Sequence, residues 1–396
     1  MNTLFTVDID GGANLKGYLA IDATVNGRCH GGVRMAVNLS PRILARAART
    51  MTLKYGFVGL PVGGAKAGIV ADPEMPSVEK RELLKRFGAA IKPILASQSY
   101  VPSGDLGVTD DDVRFMLTTN GLKVPPRTLT FQLSGFYTGI TVFAGAVRAA
   151  RHIGLDVSRA SVAVEGFGSV GSSAALTFWR KGIRVVAIST SHGAVYSEKG
   201  LDIGQLIELQ KQAGSRVVEQ FSGAEPMARE KLLALPVDIL CPCANSESIT
   251  PENARQVSAR IISPGANVPF VIEAEPILRN KGILMIPDFM ANCGGVLGST
   301  MRRAGLRENF VLRFLEDRVG ERIANVIQAA EKEGTPLTEY AERMASQRFL
   351  KAKQEAESRD FKSRLFNLAV GLYRSGLVPQ PLVAPVAPGY FERKLS

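Results

Sequence analysis

One lysine in the chain stands in surroundings that suggest chemistry. Lys66 lies in the stretch GFVGLPVGGAKAGIV, residues 56–70, among glycines and small apolar residues, and no acidic residue occurs within five positions on either side. A lysine beside such a turn can simply extend its charged end to solvent. Alternatively, burial lowers the pKa of its ammonium group, so that the amine can act as a base. Other parts of the sequence must distinguish these two interpretations.

A second candidate site is a glycine-rich turn. The stretch SVAVEGFGSVGSSAALTFWRKGIRVVAIST, residues 161–190, predicts a strand, a turn, a helix and a second strand. Gly166, Gly168 and Gly171 form the pattern G-x-G-x-x-G at the first turn. Such glycines permit a tight turn, let a pyrophosphate approach the backbone and let the helix pack on the strand. The pattern predicts a dinucleotide site, and a tight turn without a ligand is the alternative.

The end of the second strand of this unit bears on the choice of dinucleotide. The residues there are Ser189, Thr190, Ser191 and His192, and none is acidic. A carboxylate at this point would bind the adenosine ribose hydroxyls of NAD and repel a 2′-phosphate. Ser189 and Thr190 are therefore predicted to lie near the ribose, and the cofactor is predicted to be NAD or NADP, with NADP favoured.

Length and composition limit the classes of protein. The 396 residues predict two domains plus extensions. The sequence has no run of eighteen apolar residues and no secretory signal pattern, so we expect a cytoplasmic protein without membrane spans. The net charge of +11 is spread along helices and mixed with acids, which favours a solvated basic surface over a nucleic-acid site. The pair Cys241 and Cys243 lies in an apolar run without a neighbouring histidine, so we predict buried thiols and no metal site.

The pattern of helices and strands predicts an α/β protein. Residues 1–130 alternate short strands with helices and are predicted to form an N-terminal α/β domain, to which the family resemblance described below assigns substrate binding and oligomerisation. Residues 131–345 hold the βαβ unit and further apolar strands separated by helix-length segments, which is typical of a Rossmann-like dinucleotide-binding domain with a parallel sheet. Residues 346–380 are predicted to be C-terminal helices. The proline-rich segment 381–396 is predicted to be extended or disordered.

With these pieces in place, the chain resembles the glutamate/leucine/phenylalanine/valine dehydrogenase family. The resemblance runs from about Gly17 to about Ser299 and rests on eight motifs in family order: GGVRM (31–35), MTLKYGFVGLPVGGAKAGI (51–69), PSGDLGV (102–108), TGITVFAG (138–145), VAVEGFGSVG (162–171), GLDI (200–203), GAN (265–267) and ILMIPDFMANCGGVLGS (283–299). The family implies oxidative deamination of an L-amino acid to a 2-oxo acid and ammonia, or the reverse. It also implies a homo-oligomer, with catalysis in the cleft between the two domains.

The resemblance implies roles for three residues of the N-terminal domain. Lys66 falls on the catalytic lysine of the family, Asp105 on the aspartate that shuttles a proton with the substrate nitrogen, and Lys54 on the lysine that binds the substrate α-carboxylate. Burial and a second cation nearby would keep Lys66 neutral, and a neutral amine can activate the water that attacks the iminium formed by hydride transfer. The resemblance therefore favours a catalytic Lys66 over a lysine that only extends its charged end to solvent. A capping role is the alternative for Asp105.

The resemblance also implies cofactor contacts. Thr138 falls on a contact to the nicotinamide amide, Asn267 lies near the nicotinamide ribose, and Ala244 is a small residue beside the cofactor. The glycine turn supplies the remaining positions, which are Gly166, Gly168, Ser169, Val170 and Gly171, with Ser169 where relatives commonly have asparagine.

Residues of the side-chain pocket depart from the family pattern. The predicted substrate-binding residues are Lys54, His30, Gly31, Met51 and Ser299. His30 replaces a lysine of glutamate-specific members, whereas leucine-type members have an apolar residue there and share Met51 with this chain. Ser299 matches the serine that helps to bind the glutamate carboxylate. Because histidine is only partly charged at neutral pH, a larger apolar or aromatic amino acid is the predicted substrate, with glutamate as the alternative. A catalytically inactive, dehydrogenase-like ligand-binding protein is the hypothesis from another class.

Overall fold

The computed structural model describes residues 5–10, 15–124 and 133–395. The chain divides into two compact units. The first contains Met1–Gln132, Arg303–Leu306 and Arg343–Lys394, and the second contains Leu133–Arg302, Arg307–Glu342 and Leu395–Ser396. The predicted domain boundary at residues 130–131 lies outside the described residues. The α/β fold class is confirmed, because each unit is built on its own sheet.

The first unit combines a five-stranded sheet with helices. Its strands are β1 (Phe5–Asp10), β2 (Lys16–Ile21), β3 (Cys29–Met35), β4 (Gly63–Ile69) and β5 (Tyr100–Gly104). Its first helices are α1 (Pro41–Phe57), α2 (Ser77–Ala90), α3 (Lys92–Ala96) and α4 (Asp110–Thr119). The sequence predicts one helix over 77–96, but the structure has two, because Pro93 lacks an N–H and would clash with the preceding turn in a helix interior.

The two faces of this sheet carry different side chains. The strand order is β1-β2-β4-β3-β5, with β3 parallel to β4 and β5 and the remaining pairs antiparallel. One face packs into a large apolar core that includes Val33, Met35, Ala65 and Ala67. Since side chains alternate along a strand, His30, Arg34 and Lys66 project from the opposite face. Helix α1 covers that face, where Leu44 and Ala48 pack on Ala20 and Tyr18.

The second unit contains a seven-stranded sheet. Its strands are β6 (Ser161–Glu165), β7 (Arg184–Thr190), β8 (Gly193–Tyr196), β9 (Glu225–Met227), β10 (Ile239–Pro242), β11 (Ile261–Ile262) and β12 (Leu284–Met285). The order is β12-β11-β10-β6-β7-β8-β9, and the first five of these strands are parallel. Strands β8 and β9 add antiparallel pairs at one edge. The predicted βαβ unit is therefore present, at the centre of a mostly parallel sheet.

Helices accompany this sheet along the chain. They are α5 (Ser134–His152), α6 (Ser169–Arg180), α7 (Ile203–Ala213), α8 (Val217–Gln220), α9 (Pro251–Ala254), α10 (Ala274–Asn280), α11 (Asp288–Ala291), α12 (Gly294–Arg303), α13 (Glu308–Phe314) and α14 (Gly320–Glu333). A π-helical turn, Leu315–Val319, joins the last two. Within the described ranges, no helix combines the length and apolar character needed to span a membrane.

The C-terminal segment differs from the prediction. Helices α15 (Leu337–Glu357) and α16 (Phe361–Arg374) are followed by α17 (Gln380–Val383) and α18 (Ala387–Leu395), so the described part of 381–396 is largely helical and not extended. Pro381 and Pro388 are each the second residue of their helix. The N–H groups of a first turn have no intrahelical acceptor, so proline is tolerated there. The prediction of an extended or disordered tail was wrong for that reason.

Candidate active site

Strand β4 and helix α1 together bury Lys66. A side chain at Gly64 would place its Cβ 2.3 Å from the backbone nitrogen of Thr52, so α1 packs directly on the strand. Lys66 projects from the same face as Gly64, two residues further along, and is only 3% exposed. Gly64, two residues before Lys66, therefore permits the close approach of the helix. The interpretation of Lys66 as a solvent-reaching lysine is excluded.

Two cations converge on one carboxylate oxygen in this unit. Lys66 Nζ lies 2.7 Å from Asp105 Oδ2, and Arg34 Nε donates a hydrogen bond to the same oxygen at 3.0 Å. Arg34 comes from β3, Lys66 from β4, and Asp105 follows β5. A Cβ at Gly32 would lie 2.7 Å from the Cβ of Asp105, so only glycine leaves room for this carboxylate. Asp105 is thus an acidic partner that lies next to Lys66 in the fold although it is remote from Lys66 in the sequence.

Burial and charge shift both ionisable groups of the predicted catalytic pair. Burial lowers the pKa of Lys66, the carboxylate of Asp105 opposes this change, and the positive charge of Arg34 adds to it. For Asp105, burial alone raises the pKa, but the charges of Arg34 and Lys66 outweigh it and hold the pKa well below its usual range. Asp105 is therefore a carboxylate at neutral pH, and the lysine next to it loses its proton more readily than a solvent-exposed lysine.

The predicted substrate-binding residues of this unit lie near one another in the fold. Lys54 and Met51 are one turn apart on α1 and are 5% and 6% exposed. His30 lies on β3 with its Nδ1 hydrogen-bonded to the hydroxyl of Tyr55 at 2.6 Å. The carbonyl of Gly31 accepts a hydrogen bond from the Tyr100 hydroxyl at 2.8 Å.

The glycine turn of the second unit fits a pyrophosphate. Gly166 has a φ of 86°, which favours glycine, and a Cβ there would collide with Ala244. A Cβ on Gly171 would lie 1.8 Å from the carbonyl oxygen of Gly166, so the helix packs on the turn itself. Gly168 faces open space, and α6 begins at the next residue, Ser169. The first N–H groups of α6, including that of Val170, have no acceptor within the helix and can bind an anion.

The end of β7 supports this turn. Ser189 is 3% exposed, and its Oγ accepts a hydrogen bond from the N–H of Gly166 at 3.0 Å. Its hydroxyl thus holds the glycine turn from the inside of the protein. Thr190 is partly exposed, and its Oγ1 accepts a hydrogen bond from the N–H of His192 at 3.1 Å. Of Ser189 and Thr190, Thr190 is therefore the residue whose side chain could approach a ribose.

The nicotinamide positions of the second unit include one residue that the sequence reasoning missed. Thr138 is on α5, where its hydroxyl donates to the carbonyl of Ser134 at 2.8 Å. Asn292 Nδ2 donates to Oδ1 of Asn267 at 3.1 Å and to the carbonyl of Ala266, also at 3.1 Å. Asn292 thereby orients the predicted ribose contact.

Ser299 and three of the four cysteines, Cys29, Cys241 and Cys293, are buried, whereas Cys243, predicted to be a buried thiol, is partly exposed. Ser299 is 1% exposed on α12, and in the described part of the chain its Oγ has no hydrogen-bond partner. Among the four cysteines, burial raises the pKa of Cys29 and of Cys243 to about 12, so both are thiols at neutral pH. Nowhere in residues 5–10, 15–124 and 133–395 do three or more histidine, cysteine, aspartate or glutamate side chains form a group able to hold a metal ion.

Arg34 and Tyr55 were also absent from the sequence-based site. Each stands inside a motif that the family shares, Arg34 in GGVRM and Tyr55 next to Lys54. The alternation of β3 could have found Arg34, because it places Arg34 on the same face as His30. No signal in the sequence indicated that the two residues pair with Asp105 and His30.

A dinucleotide turn on a mostly parallel sheet and a buried lysine–aspartate pair are features of a nicotinamide-dependent dehydrogenase with acid–base chemistry. The chain matches the sequence profile of Glutamate/Leucine/Phenylalanine/Valine dehydrogenase over residues 135–356 and that of the Glu/Leu/Phe/Val dehydrogenase dimerisation domain over residues 2–121. It belongs to the glutamate/leucine/phenylalanine/valine dehydrogenase family, a family of amino-acid dehydrogenases.

Individual relatives agree with this assignment. The chain is 33% identical over 298 residues to the glutamate dehydrogenase of Thermotoga maritima, covering 71% of this chain and 70% of the relative. It is 30% identical over 331 residues to the NAD-specific glutamate dehydrogenase of Staphylococcus aureus, covering 79% and 78%. Among solved structures, it is similar to the hetero-hexameric glutamate dehydrogenase from Thermus thermophilus in its Leu-bound form, with a TM-score of 0.76, 28% identity and 90% of each chain covered.

Proposed function

We propose that the chain catalyses the NAD(P)-dependent oxidative deamination of a neutral L-amino acid, or the reverse reductive amination. One observation carries this proposal: Lys66 is buried and its Nζ lies 2.7 Å from Asp105 Oδ2. An amine with a lowered pKa next to a permanent carboxylate is suited to moving protons near neutral pH.

The proposed chemistry assigns a proton to each residue. A nicotinamide bound at the glycine turn would supply the hydride acceptor that converts the substrate amine to an iminium, and the residues of this chain would act on that iminium. The neutral amine of Lys66 then takes a proton from a water molecule, whose oxygen bonds to the iminium carbon. Asp105 relays the proton of the Lys66 ammonium to the substrate nitrogen, the C–N bond of the carbinolamine breaks and ammonia leaves, and the hydroxyl proton returns to Lys66 as the carbonyl of the 2-oxo acid forms. Lys54 binds the α-carboxylate, and its positive charge offsets the charge of that group.

The proposed substrate has a larger apolar or aromatic side chain. The support is His30, which stands where glutamate-specific members have a lysine and whose Nδ1 is hydrogen-bonded to the Tyr55 hydroxyl at 2.6 Å. Such a ring supplies less fixed positive charge than the lysine of glutamate-specific members. Glutamate is the second candidate, because Ser299 is retained and the relatives named above are glutamate dehydrogenases.

The proposed cofactor preference rests on one position. Thr190 offers no carboxylate to repel a 2′-phosphate, so we propose that NADP is accepted at least as well as NAD. The Staphylococcus aureus relative, which is named NAD-specific, gives this preference no support.

The proposed assembly is a homo-oligomer. Residues 2–121 match a dimerisation domain, and the similar Thermus thermophilus structure is titled hetero-hexameric. Sedimentation equilibrium should therefore give a mass of two or more whole chains. A chain that stays monomeric at micromolar concentration would contradict this proposal.

The function is tested by a spectrophotometric screen of the twenty standard amino acids with NAD and with NADP, followed through the absorbance of the reduced nicotinamide. We expect turnover with at least one amino acid and loss of turnover in Lys66→Ala, with cofactor binding nearly unchanged. The absence of turnover with every pair, together with tight amino-acid or dinucleotide binding, would instead support an inactive ligand-binding protein.

A further inference from the structure

The motif GLDI (200–203) has no part in the site described above, and it begins helix α7. The N–H of Leu201 donates to the carbonyl of Val185 on β7 at 2.8 Å, which ties the start of α7 to the sheet. The side chain of Asp202 accepts a hydrogen bond from an N–H of the first turn at 2.9 Å and caps the helix. Ile203 is fully buried. The motif thus fixes where α7 begins and which of its faces is buried.

One position on the buried face of α7 is polar. Residues three, four and seven positions apart share one face of a helix, so Ile203, Leu206 and Gln210 lie on the same face. Ile203 and Leu206 are fully buried, whereas Gln210 stands where this apolar stripe would continue. Its Nε2 donates a hydrogen bond to the carbonyl oxygen of Phe167, inside the glycine turn. Because a carbonyl only accepts, the NH₂ end of the amide must face it.

The carbonyl of Phe167 fixes the direction of the next N–H group. A trans peptide unit is planar, and its carbonyl and its N–H point in opposite directions. With the carbonyl turned towards Gln210, the N–H of Gly168 points away from this side chain. Gly168 is exposed, and a Cβ on it would meet no atom within 4 Å. The N–H of Gly168 therefore belongs to the open part of the turn, one residue before α6 begins.

Two side chains from different elements hold the turn. Ser189 on β7 accepts a hydrogen bond from the N–H of Gly166 at 3.0 Å, and Gln210 on α7 donates to the carbonyl of the following residue, Phe167. An anion requires N–H donors, and a carbonyl oxygen that faced it would repel it. The contact of Gln210 binds the one group of this peptide unit that an anion cannot use.

We propose that Gln210 is a positioning residue of the dinucleotide site, which binds the Phe167 carbonyl and thereby presents the N–H of Gly168 to the pyrophosphate. This inference rests on the proposed function, and it assigns a role to a residue outside the eight motifs of the family resemblance. Because the contact concerns the pyrophosphate, NAD, NADP and ADP-ribose all depend on Gln210 in the same way.

The test measures Kd by calorimetry with NAD, NADP and ADP-ribose. Gln210→Met keeps the length of the side chain and removes the donor, and Gln210→Glu keeps its shape but can only accept once it is ionised. Gln212→Met and Gln212→Glu are matched controls at an exposed glutamine of the same helix. We expect Gln210→Met to raise each Kd about 3-fold to 10-fold, which is the effect of one hydrogen bond. Gln210→Glu should raise each Kd further, and both controls should stay within about 2-fold of the wild type.

Two further readouts separate positioning from a general loss of structure. In steady-state assays, Gln210→Met should raise the KM for the dinucleotide and leave kcat and the KM for the amino acid unchanged, because the lost contact acts on binding alone. In the chain without ligand, hydrogen exchange followed by peptide mass spectrometry should be faster at residues 166–168 of Gln210→Met, because the turn loses one of its two side-chain contacts. Thermal melts identify any variant that is misfolded.

The outcomes separate the failure of this inference from the failure of the proposed function. A wild type that binds the three ligands without turnover, and whose affinity falls in both Gln210 variants, would reject the dehydrogenase activity and support the role of Gln210. A wild type that binds none of the three ligands would overturn both. An active wild type would overturn the inference alone if folded Gln210 variants keep its Kd values, or if the Gln212 variants lose affinity equally.

Discussion

The convergence of Arg34 and Lys66 on Asp105 Oδ2 predicts different effects of two substitutions on stability. Asp105→Asn removes the carboxylate that Arg34 and Lys66 share, and the lysine can lose its proton but the arginine cannot. Removing one partner from a buried ion pair costs about 3–5 kcal/mol. Lys66→Met removes one of the two basic partners of Asp105 and leaves the Arg34–Asp105 hydrogen bond of 3.0 Å in place. Because methionine is of similar length and is apolar, the free energy of unfolding should change by less than about 1 kcal/mol or increase.

These free energies convert to temperatures that can be measured. For a domain of 150–250 residues, about 1 kcal/mol shifts Tm by roughly 2–4 °C, so Asp105→Asn should lower Tm by roughly 6–20 °C. Lys66→Met should keep Tm within roughly 2–4 °C of the wild type, or raise it. Both variants should lose rate on the order of 10²–10⁴, because each removes a positioned acid–base group.

Differential scanning fluorimetry at one protein concentration, without ligands, measures the Tm values, since binding and assembly also shift Tm. The same preparations are then assayed for turnover. If Lys66→Met lowers Tm as far as Asp105→Asn does, a charged Lys66 contributes to stability through its pairing with Asp105, and the argument for a neutral Lys66 fails.

Three further predictions follow from individual positions. Between the lowered pKa of Lys66 and its ordinary value of 10.5, the unfolded chain binds more protons than the folded chain, so stability rises with pH in that window. The Tm of the wild type minus the Tm of Lys66→Met should therefore increase with pH. A difference that does not change with pH would contradict the lowered pKa of Lys66. Thr190→Asp should move the ratio of kcat/KM values towards NAD by placing a carboxylate near the ribose, and a wild type that strongly prefers NAD would refute the underlying proposal. His30→Lys should raise kcat/KM for glutamate relative to leucine, phenylalanine and tryptophan, and unchanged glutamate turnover would remove His30 from the side-chain pocket.

Much of the fold could be predicted from the sequence, because the signals are local. The alternation around β2 and the apolar run of β6 predict strands, and the glycine pattern at 166–171 marks the turn between strand and helix. Thr109 and Asp112 form the capping box that their spacing suggests. The tail at 381–396 could not be predicted in this way, because proline content argues against a helix only where the proline is beyond the first turn.

For the candidate site as well, some features could be predicted from local sequence signals and others depend on the tertiary structure. The sequence alone sufficed to predict the candidate catalytic and cofactor-binding residues, since a lysine among glycines, an aspartate in PSGDLGV and a G-x-G-x-x-G turn are properties of short segments. Only the tertiary structure decided which charges act on Lys66. The sequence suggests a second cation near Lys66 but does not show which one. In the structure, Arg34 lies close to Lys66. It is 32 positions away in the chain, but it is on the neighbouring strand and contacts the same oxygen of Asp105. The pKa of a buried group depends on distances through space, and strand pairing sets these distances between residues that are remote in sequence.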